Sequence, residues 1–181
     1  REGENVNQFY IREYAGVDPE TGAALWWKDQ EKVQKDENGD PVLDEKNQPV
    51  IVKDENGNPV IEKVTTEKWS DATQYAQGDL LPKVYGGFGT TLNVYGVDLS
   101  VACAYQLGGK IYDNAYASLM HSGYGSAGKN WHADILNSWT PENTNTDVPR
   151  VNTADQYTTN TSTRFLVSSN YLSLQNITIG Y

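Results

Sequence analysis

Residue types that could carry out chemistry are present in this sequence, but their spacing assembles no reaction centre. The two histidines, His121 and His132, each lack a second ligand at the short spacing of a zinc site, so we interpret both as surface loop residues. The chain has 24 Asp and Glu side chains, yet none of them is singled out as an acid and base pair held in a cleft. We therefore assign no catalytic residue and no metal ligand.

A glycine-rich string, GYGSAG at 123–128, has the spacing of a dinucleotide-binding loop. Such a loop follows a buried strand, whereas the preceding AYASLMHS is neither long enough nor apolar enough to be one. Ser126 is not in a nucleophile elbow, because Tyr124 rather than Gly stands two places before it. We interpret the string as a flexible loop and expect no cofactor.

The single cysteine, Cys103, excludes an internal disulfide framework and a thiolate metal site. A reactive thiol needs an electropositive setting, and no Lys, Arg or His occurs at 97–109. Cys103 is therefore interpreted as a small apolar residue of a strand.

The element that would position Cys103 is a hairpin at 84–107. Its two runs, VYGGFGTTLNVY and VDLSVACAYQL, are joined at Gly96 and alternate with period two, which is typical of strands. One face of the first strand is small and polar (Gly87, Gly89, Thr91, Asn93), and in the second strand Asp98, Ser100, Ala102, Ala104 and Gln106 oppose the apolar residues.

Each run of the hairpin has about the 9–11 residues with which a tilted strand crosses a bilayer. Asp98 is the only charged residue between Val84 and Leu107. A net charge of -10 and a mean hydropathy of -0.64 would suggest a soluble acidic domain. Only every second residue of a barrel strand faces lipid, however, so such averages hide a barrel wall. The hairpin therefore predicts an outer-membrane barrel.

Charge is concentrated in one insertion, residues 28–68, which holds eleven acidic and seven basic side chains. It contains a repeat: DENGDPVL from Asp36, DEKNQPVI from Asp44 and DENGNPVI from Asp54. The Asn-Gly signals predict short ribbons or irregular turns. The order of an EF-hand loop is absent, which favours a solvated acidic loop, and calcium binding at 36–61 stays open. No basic patch indicates nucleic acid.

The sequence as a whole predicts an all-β chain, with strands at about 6–14, 84–95, 97–112 and 164–181. A bulge at Gln175-Asn176 would keep the apolar residues of the last strand on one face. The segments 17–82 and 113–163 are predicted long loops, the second with a short helix at 130–138. The absence of a leader at Arg1 and the strand-like run ending at Tyr181 indicate a fragment.

Four strings resemble the C-terminal barrel region of SusC-like TonB-dependent outer-membrane receptors. They are YAGVDPETGAALW, LPKVYGGFGTTLNVYGVDLSVACAYQLGGKIYDNAY, NSWTPENTNTDVPR and SSNYLSLQNITIGY. The resemblance implies part of a large transmembrane β-barrel with an N-terminal plug, located in the cell outer membrane. It also implies a SusD-like surface lipoprotein as a lid, energy relayed through TonB by a part of the parent protein absent here, and import of oligosaccharides or peptides.

In such a barrel, short turns are periplasmic and long loops extracellular, which assigns Gly96 to the periplasm and the loops 17–82 and 113–163 to the cell exterior. The lipid-facing wall would comprise Phe88, Leu92, Val94, Leu99, Val101, Cys103, Tyr105 and Leu107.

Four aromatic residues of the second loop, Trp131, Trp139, Tyr116 and Tyr124, could stack on a ligand or contact the lid. The two tryptophans could equally anchor the short helix to the loop beneath it.

Two other functional classes remain as alternatives. One is a secreted all-β carbohydrate-binding or adhesion module whose alternation reflects a half-buried sheet. The hairpin favours the receptor, because a soluble sheet would usually carry Lys or Glu where this one has Gly, Thr and Asn. The other is a β-rich hydrolase, which has only unplaced carboxylates in its favour.

Overall fold

The computed structural model describes residue 3 and residues 5–181, and these residues form two compact units. The hairpin unit comprises the N-terminal residues up to Ile11 together with Tyr75–Ser118 and Thr161–Tyr181. The loop unit comprises Arg12–Gln74 and Leu119–Asn160.

Strands are the main regular elements of the chain, in agreement with the predicted all-β class. In chain order they are β1 Gln8–Arg12, β2 Tyr14–Val17, β3 Ala24–Glu31, β4 Ile61–Thr66, β5 Gln74–Asp79, β6 Val84–Val94, β7 Val97–Leu107, β8 Lys110–Tyr112, β9 Leu166–Ser168 and β10 Tyr171–Gly180. The single α-helix among the described residues is α1, Asn114–Leu119, and 3-10 turns occur at Trp69–Asp71, Ala133–Asn137 and Thr163–Phe165. No helix in this part of the chain is long and apolar enough to span a membrane.

The predicted hairpin is confirmed, and its register is regular from end to end. Strands β6 and β7 pair antiparallel from Val84 opposite Leu107 to Val94 opposite Val97. The two linking residues, Tyr95 and Gly96, have φ values of 51° and 83°. Positive φ at both central residues is the mark of a type I′ turn, whose twist matches that of the strands it joins.

The predicted bulge in the last strand is confirmed as well. Strand β10 pairs antiparallel with β7, with Leu174 opposite Cys103 and Asn176 opposite Ala102, so Gln175 has no partner in the ladder. One extra residue shifts the alternation by one position. The apolar residues after the bulge therefore return to the face used before it, and β6, β7 and β10 form the hairpin sheet with a continuous apolar face.

Two predicted strands are interrupted at the same level. The strand expected at 97–112 breaks at Gly108-Gly109, whose φ values are 81° and 82°, and the one expected at 164–181 breaks at Ser169 and Asn170. The Gly108 N–H donates to Asn170 Oδ1 at 2.6 Å, and Ser169 Oγ donates to the Gly108 carbonyl at 3.0 Å. Beyond this break the chain pairs again as β8 with β9.

The other differences from the predicted elements are also breaks or short elements. The strand expected at 6–14 is two strands, β1 and β2, which belong to different sheets, and β1 pairs with β5. The loop expected at 17–82 contains strands β3, β4 and β5. The sequence did not predict these strands because the segment is highly charged. In β3, the polar residues of LWWKDQE lie in its C-terminal half, which is the more exposed half.

The helix expected at 130–138 is instead the 3-10 turn Ala133–Asn137, while the α-helix lies earlier, at α1. His132 caps the turn by accepting a hydrogen bond from Asp134 N–H, and Ser138 N–H bonds back to Ile135 O, three residues before it. Trp139 N–H bonds the Val148 carbonyl. The residue that follows the run therefore bonds to a distant residue instead of continuing a helix. The run that remains is too short for a stable α-helix.

The core of the loop unit lies under the three-stranded sheet β2-β3-β4. Ala24 and Trp26 are buried at alternate positions of β3, and Ala72 completes the buried cluster. Tyr14 and Tyr157 present ring edges to Trp26, each with a centroid distance of 6.4 Å.

The repeat segment, residues 32–60, forms three tight turns of one design, where the sequence predicts ribbons or turns. In each copy the Asp carboxylate accepts hydrogen bonds from the N–H groups two and four residues later, at 2.8–2.9 Å. The fourth residue of each copy has positive φ: Gly39, Asn47 and Gly57. Asn and Gly are the residue types that tolerate this conformation best.

Backbone hydrogen bonds join the three turns in a branched arrangement. Gln34 N–H donates to Val50 O, Val50 N–H to Val42 O, and Val42 N–H to Gln34 O, which closes a ring of three bonds. A second ring links Lys32, Val60 and Val52 in the same way. The rings satisfy backbone groups that an isolated turn would leave to water, so the three copies fold as one body.

Candidate functional site

The hairpin sheet has two faces of opposite chemistry. Its apolar face carries Val84, Phe88, Leu92 and Val94 of β6, Val97, Leu99, Val101, Cys103, Tyr105 and Leu107 of β7, and Leu172, Leu174, Ile177 and Ile179 of β10. The side chains of β6 and β10 on this face are exposed, as for Phe88 (60%), Ile177 (54%) and Ile179 (73%), whereas the central β7 side chains from Leu99 to Tyr105 are half-buried between them. No charged side chain interrupts the face within the paired strands.

The opposite face of the hairpin sheet is small and polar from its centre to the turn, while Tyr85 and Tyr171 flank Gln106 at the end far from the turn. Gly87 pairs with Ala104 and Gly89 with Ala102, so almost no side-chain atoms project from the centre of this face. Nearer the turn, Thr91 and Ser100 share a hydrogen bond of 3.2 Å, and Asn93 donates to Asp98. The one charged residue of the hairpin is therefore on the polar face and hydrogen-bonded.

Tyr105 fits a gap in the apolar face. It lies opposite Gly86, where an added Cβ would approach the Tyr105 hydroxyl to 3.2 Å. Its ring is tilted against Phe88 at a centroid distance of 6.4 Å. An aromatic ring that covers a strand glycine restores packing that the glycine lacks.

The loop unit contains an open pocket of about 180 Å³ beside its buried core. Trp26 and Tyr157 supply aromatic lining, while Glu67, Lys68 and Gln156 supply polar groups. Trp26 is 2% exposed, which leaves the polar residues and Tyr157 as the accessible parts of the lining. A shallow site of this size with mixed polarity could bind one ring or one side chain of a ligand.

Arg150 fixes the chain that forms one side of this pocket. Its guanidinium makes two hydrogen bonds to the Asp155 carboxylate, at 2.9 and 3.0 Å, and a third to the Thr21 carbonyl at 2.7 Å. The hydrogen bond with Asp155 is the main reason that the pKa of Arg150 is raised above its ordinary value. Bidentate pairs of this kind hold both partners in one geometry.

Trp131 and Trp139 each hold loop structure in place. The Trp131 indole donates to the His121 carbonyl at 2.8 Å, and its ring is tilted by 32° against the His121 imidazole at a centroid distance of 4.8 Å. Trp139 donates to the Pro19 carbonyl at 3.1 Å and covers Gly22, where an added Cβ would lie 2.4 Å from the indole. Trp131 is nevertheless 47% exposed, so part of its surface is accessible to a partner.

Tyr116 and Tyr124 lie in different units. Tyr116 is on α1 in the hairpin unit and meets the fully buried Phe165 edge-on, at a centroid distance of 6.1 Å. Tyr124 is in the glycine-rich loop of the loop unit and is 52% exposed. Of the four predicted aromatic residues, Trp131 and Tyr124 thus offer the most accessible surface.

The interpretation of His121 as a surface residue is wrong. His121 is 3% exposed, because Trp131 covers its ring, and its Nδ1 accepts a hydrogen bond from Gly123 N–H at 3.2 Å. The sequence did not predict this burial, because neither the periodicity nor the polarity of the residues around His121 marks the loop as packed. His132 is partly exposed, and the described residues contain no cluster of His, Cys, Asp and Glu that could hold a metal ion.

Trp26, Tyr157 and the pocket residues Glu67 and Lys68 were not found from the sequence. The signal for Trp26 was available, since Ala24 and Trp26 alternate at the start of a strand. Tyr157 has no such signal, because it reaches the pocket through an irregular loop that depends on Arg150.

Comparisons with known proteins place these features in context. No protein-family model matches the chain. Over 186 residues, the whole chain is 30% identical to TonB-dependent receptor P3 of Formosa agariphila, of which it covers 15%. Its fold matches a chain in the structure of the RagAB peptide importer in the open-open state, with a TM-score of 0.62 and 24% identity over 99% of this chain and 17% of the other.

The chain thus spans less than a fifth of the length of each relative. The two relatives are a receptor and an importer, not enzymes. Both matches extend over almost all of this chain, including its charged repeat segment. The resemblance of this all-β chain to a segment of a SusC-like TonB-dependent receptor is therefore confirmed.

Proposed function

We propose that this chain is part of a TonB-dependent importer of the outer membrane and that the hairpin sheet is three neighbouring strands of its barrel wall. The observation that supports the proposal most strongly is the contrast between the two faces of this sheet. One is apolar over three strands, and the other is small and polar over most of its length. A barrel wall requires that contrast, since lipid lies on one side and the lumen on the other.

The apolar face supplies the lipid-facing residues of the proposed wall: Phe88, Leu92, Val94, Leu99, Val101, Cys103, Tyr105 and Leu107, joined by the β10 residues after the bulge. The polar face then lines the lumen, where the glycines and alanines at its centre leave room for a plug. The two-residue turn at Tyr95-Gly96 lies on the periplasmic side, and the segments 17–82 and 113–163 are extracellular.

The full receptor would take up oligosaccharides or peptides with a SusD-like lipoprotein as its partner. Support for the peptide class comes from the fold shared with a peptide importer. Support for an extracellular contact comes from the exposed rings of Trp131 and Tyr124 and from the pocket bordered by Tyr157. Aromatic rings with polar edges suit a sugar, a peptide or a protein lid.

A secreted all-β module is less consistent with the structure. A soluble sheet buries its apolar face against a second layer. Here that face is open, and contiguous exposed apolar surface of this extent marks a membrane or protein contact.

The direct experiment uses the full-length parent receptor in its own host. We expect the receptor to be found in the outer-membrane fraction, and affinity purification to recover a surface lipoprotein with it. Uptake of labelled oligosaccharide or peptide mixtures should be lost when TonB is depleted. Uptake that persists without TonB would contradict the importer, and recovery of the protein from the culture medium would favour the secreted module.

A further inference from the structure

Two asparagines of the repeat segment stand directly before a glycine. They are Asn38 and Asn56, and no other asparagine of the chain is followed by Gly. An asparagine side chain is of the length at which the backbone nitrogen of the next residue can reach its amide carbon and close a five-membered ring. Glycine favours that attack because, without a Cβ, its backbone nitrogen is open to approach. These two asparagines are therefore the ones in the chain most susceptible to loss of ammonia.

The structure presents both side chains to solvent. Asn38 and Asn56 are exposed. The hydrogen bonds that hold them in their turns use the backbone N–H, which donates at 2.9 Å to the carboxylate of Asp36 or Asp54. Water and hydroxide therefore have access to the side-chain amides, and burial does not protect them.

The same turns restrain the attacking nitrogen. The Gly39 N–H donates to the Asp36 carbonyl at 3.1 Å, and the Gly57 N–H donates to the Asp54 carbonyl at 3.0 Å. A nitrogen in such a bond faces its acceptor, so the turn must open before the ring can close. Nothing lies within 4 Å of the position that a Cβ would take on either glycine, so no packed neighbour has to move. The rate of the reaction then follows the population of the open turn.

The middle copy of the turn has an asparagine without a glycine after it. Asn47 takes the place of Gly39 and Gly57, with a φ of 62°, and is followed by Gln48. The Gln48 side chain crowds its own backbone nitrogen, whose N–H donates to the Asp44 carboxylate at 2.9 Å. Because Asn47 is exposed as well, it is a control within the same segment.

We propose that Asn38 and Asn56 are sites of spontaneous deamidation and that the turn carboxylates of Asp36 and Asp54 set its rate. The glycine nitrogen bonds to the asparagine Cγ, and the side-chain nitrogen leaves as ammonia with the proton that the glycine N–H gives up. Water then opens the succinimide ring at either carbonyl, which yields aspartate or isoaspartate. No oxidant, reductant or enzyme takes part. The inference does not depend on the proposed function.

The reaction changes both the charge and the structure of the repeat segment. Residues 32–60 hold seven acidic and four basic side chains, so their net charge falls from -3 to -5 when both sites have reacted. On the isoaspartate route the main chain gains one carbon inside the turn. The bond from Asp36 N–H to the Asp40 carbonyl, 2.9 Å long, then loses its register.

The test follows the three asparagines in the purified full-length receptor. The protein is kept in mildly alkaline heavy-oxygen water, digested at acid pH and analysed by mass spectrometry, so that only carboxylates formed during the incubation carry the label. We expect label at Asn38 and Asn56 and none at Asn47. Asn38→Gln lengthens the side chain by one carbon, so labelling at 38 should be lost while Asn56 is unchanged. No label at 38 and 56, or equal label at Asn47, would overturn the proposed sites.

Asp54→Ala tests the role of the carboxylate, with Glu55→Ala as the matched variant, since both changes remove one negative charge. Asp54 accepts from the N–H groups of Asn56 and Asn58, so its loss should favour the open turn. We expect labelling at Asn56 to become about fivefold faster in the first variant, the factor that corresponds to one lost capping carboxylate, and to stay unchanged in the second. Asn38 gives the reference rate within each protein. Equal rates at Asn56 in the two variants would overturn the control by the carboxylate.

Discussion

Gly109 shows how one residue fixes the point at which a wall strand breaks. Its φ is 82°, and an added Cβ would lie 2.7 Å from Ser169 Oγ and 2.9 Å from the Leu80 carbonyl. Gly96 has nearly the same φ, 83°, but open space around it. A comparison of the same substitution at the two glycines therefore separates the effect of backbone conformation on stability from the effect of contacts with neighbouring atoms.

We expect Gly109→Ala to destabilise the receptor more than Gly96→Ala does. Both changes carry the penalty of a side chain at positive φ, about 1 kcal/mol, and only the first also displaces neighbouring atoms. The midpoint of thermal unfolding, followed by heat-modifiable gel migration, provides the comparison. Equal midpoints for the two variants would show that the contacts at 109 relax without cost.

At the scale of elements, the repeat segment is held by local hydrogen bonds rather than by a core. Asp44 Oδ1 accepts from Lys46 N–H at 2.8 Å and from Gln48 N–H at 2.9 Å, and the copies at Asp36 and Asp54 do the same. Each turn thus depends on one carboxylate.

Asp44→Ala should therefore open one turn, at a cost of about 1 kcal/mol, as for the loss of a helix-capping carboxylate. Glu45→Ala, one residue further, serves as the control, because Glu45 carries the same charge without that role in the turn. Hydrogen exchange followed by mass spectrometry should show faster exchange at 44–50 in the first variant alone. Similar exchange in both would indicate that the rings of backbone bonds hold the turn without the carboxylate.

The turn that begins at Asp18 should depend on pH. Asp18 accepts hydrogen bonds from Glu20 N–H at 2.8 Å and Thr21 N–H at 3.3 Å, and the bond from Glu20 is the largest cause of its lowered pKa. A lowered pKa means that ionised Asp18 stabilises the turn above the ordinary value of 3.8, and that this contribution is lost as pH falls through the lower, folded-state pKa.

We expect exchange at Glu20 and Thr21, corrected for the intrinsic rate, to accelerate as the pH drops below that ordinary value. Asp18→Asn, which keeps an accepting oxygen but does not titrate, should remove the pH dependence. A pH dependence retained in the Asn variant would assign it to another group.

On the scale of the whole chain, the sequence predicts structure best where one face of a strand is consistently apolar. Period two predicted the two strands that pair as β6 and β7, and the change of phase after Leu174 predicted the bulge. The Gly108-Gly109 break carried its own signal, since paired glycines interrupt a strand, but the apolar pattern on both sides concealed it.

The loop unit was less predictable because its structure depends on contacts between distant segments. The burial of His121 requires Trp131, and the pocket beside Trp26 requires a loop held by Arg150 through Asp155. The three repeats were visible, whereas the bonds that join them run between copies and have no pattern in the residues. Local chemistry alone therefore predicts the turns but not their assembly.

The central claim is that one face of the hairpin sheet contacts lipid, and adjacent residues of β7 test it most directly. The measurement is outer-membrane assembly of the full-length receptor with Val101→Asp and Cys103→Asp, near the middle of the strand, compared with Ala102→Asp and Ala104→Asp on the opposite face. A charge near the bilayer centre costs on the order of 2 kcal/mol per residue, whereas a lumen position tolerates it. We expect the first pair to abolish assembly and the second to retain it, and equal assembly of both would contradict a lipid-facing wall.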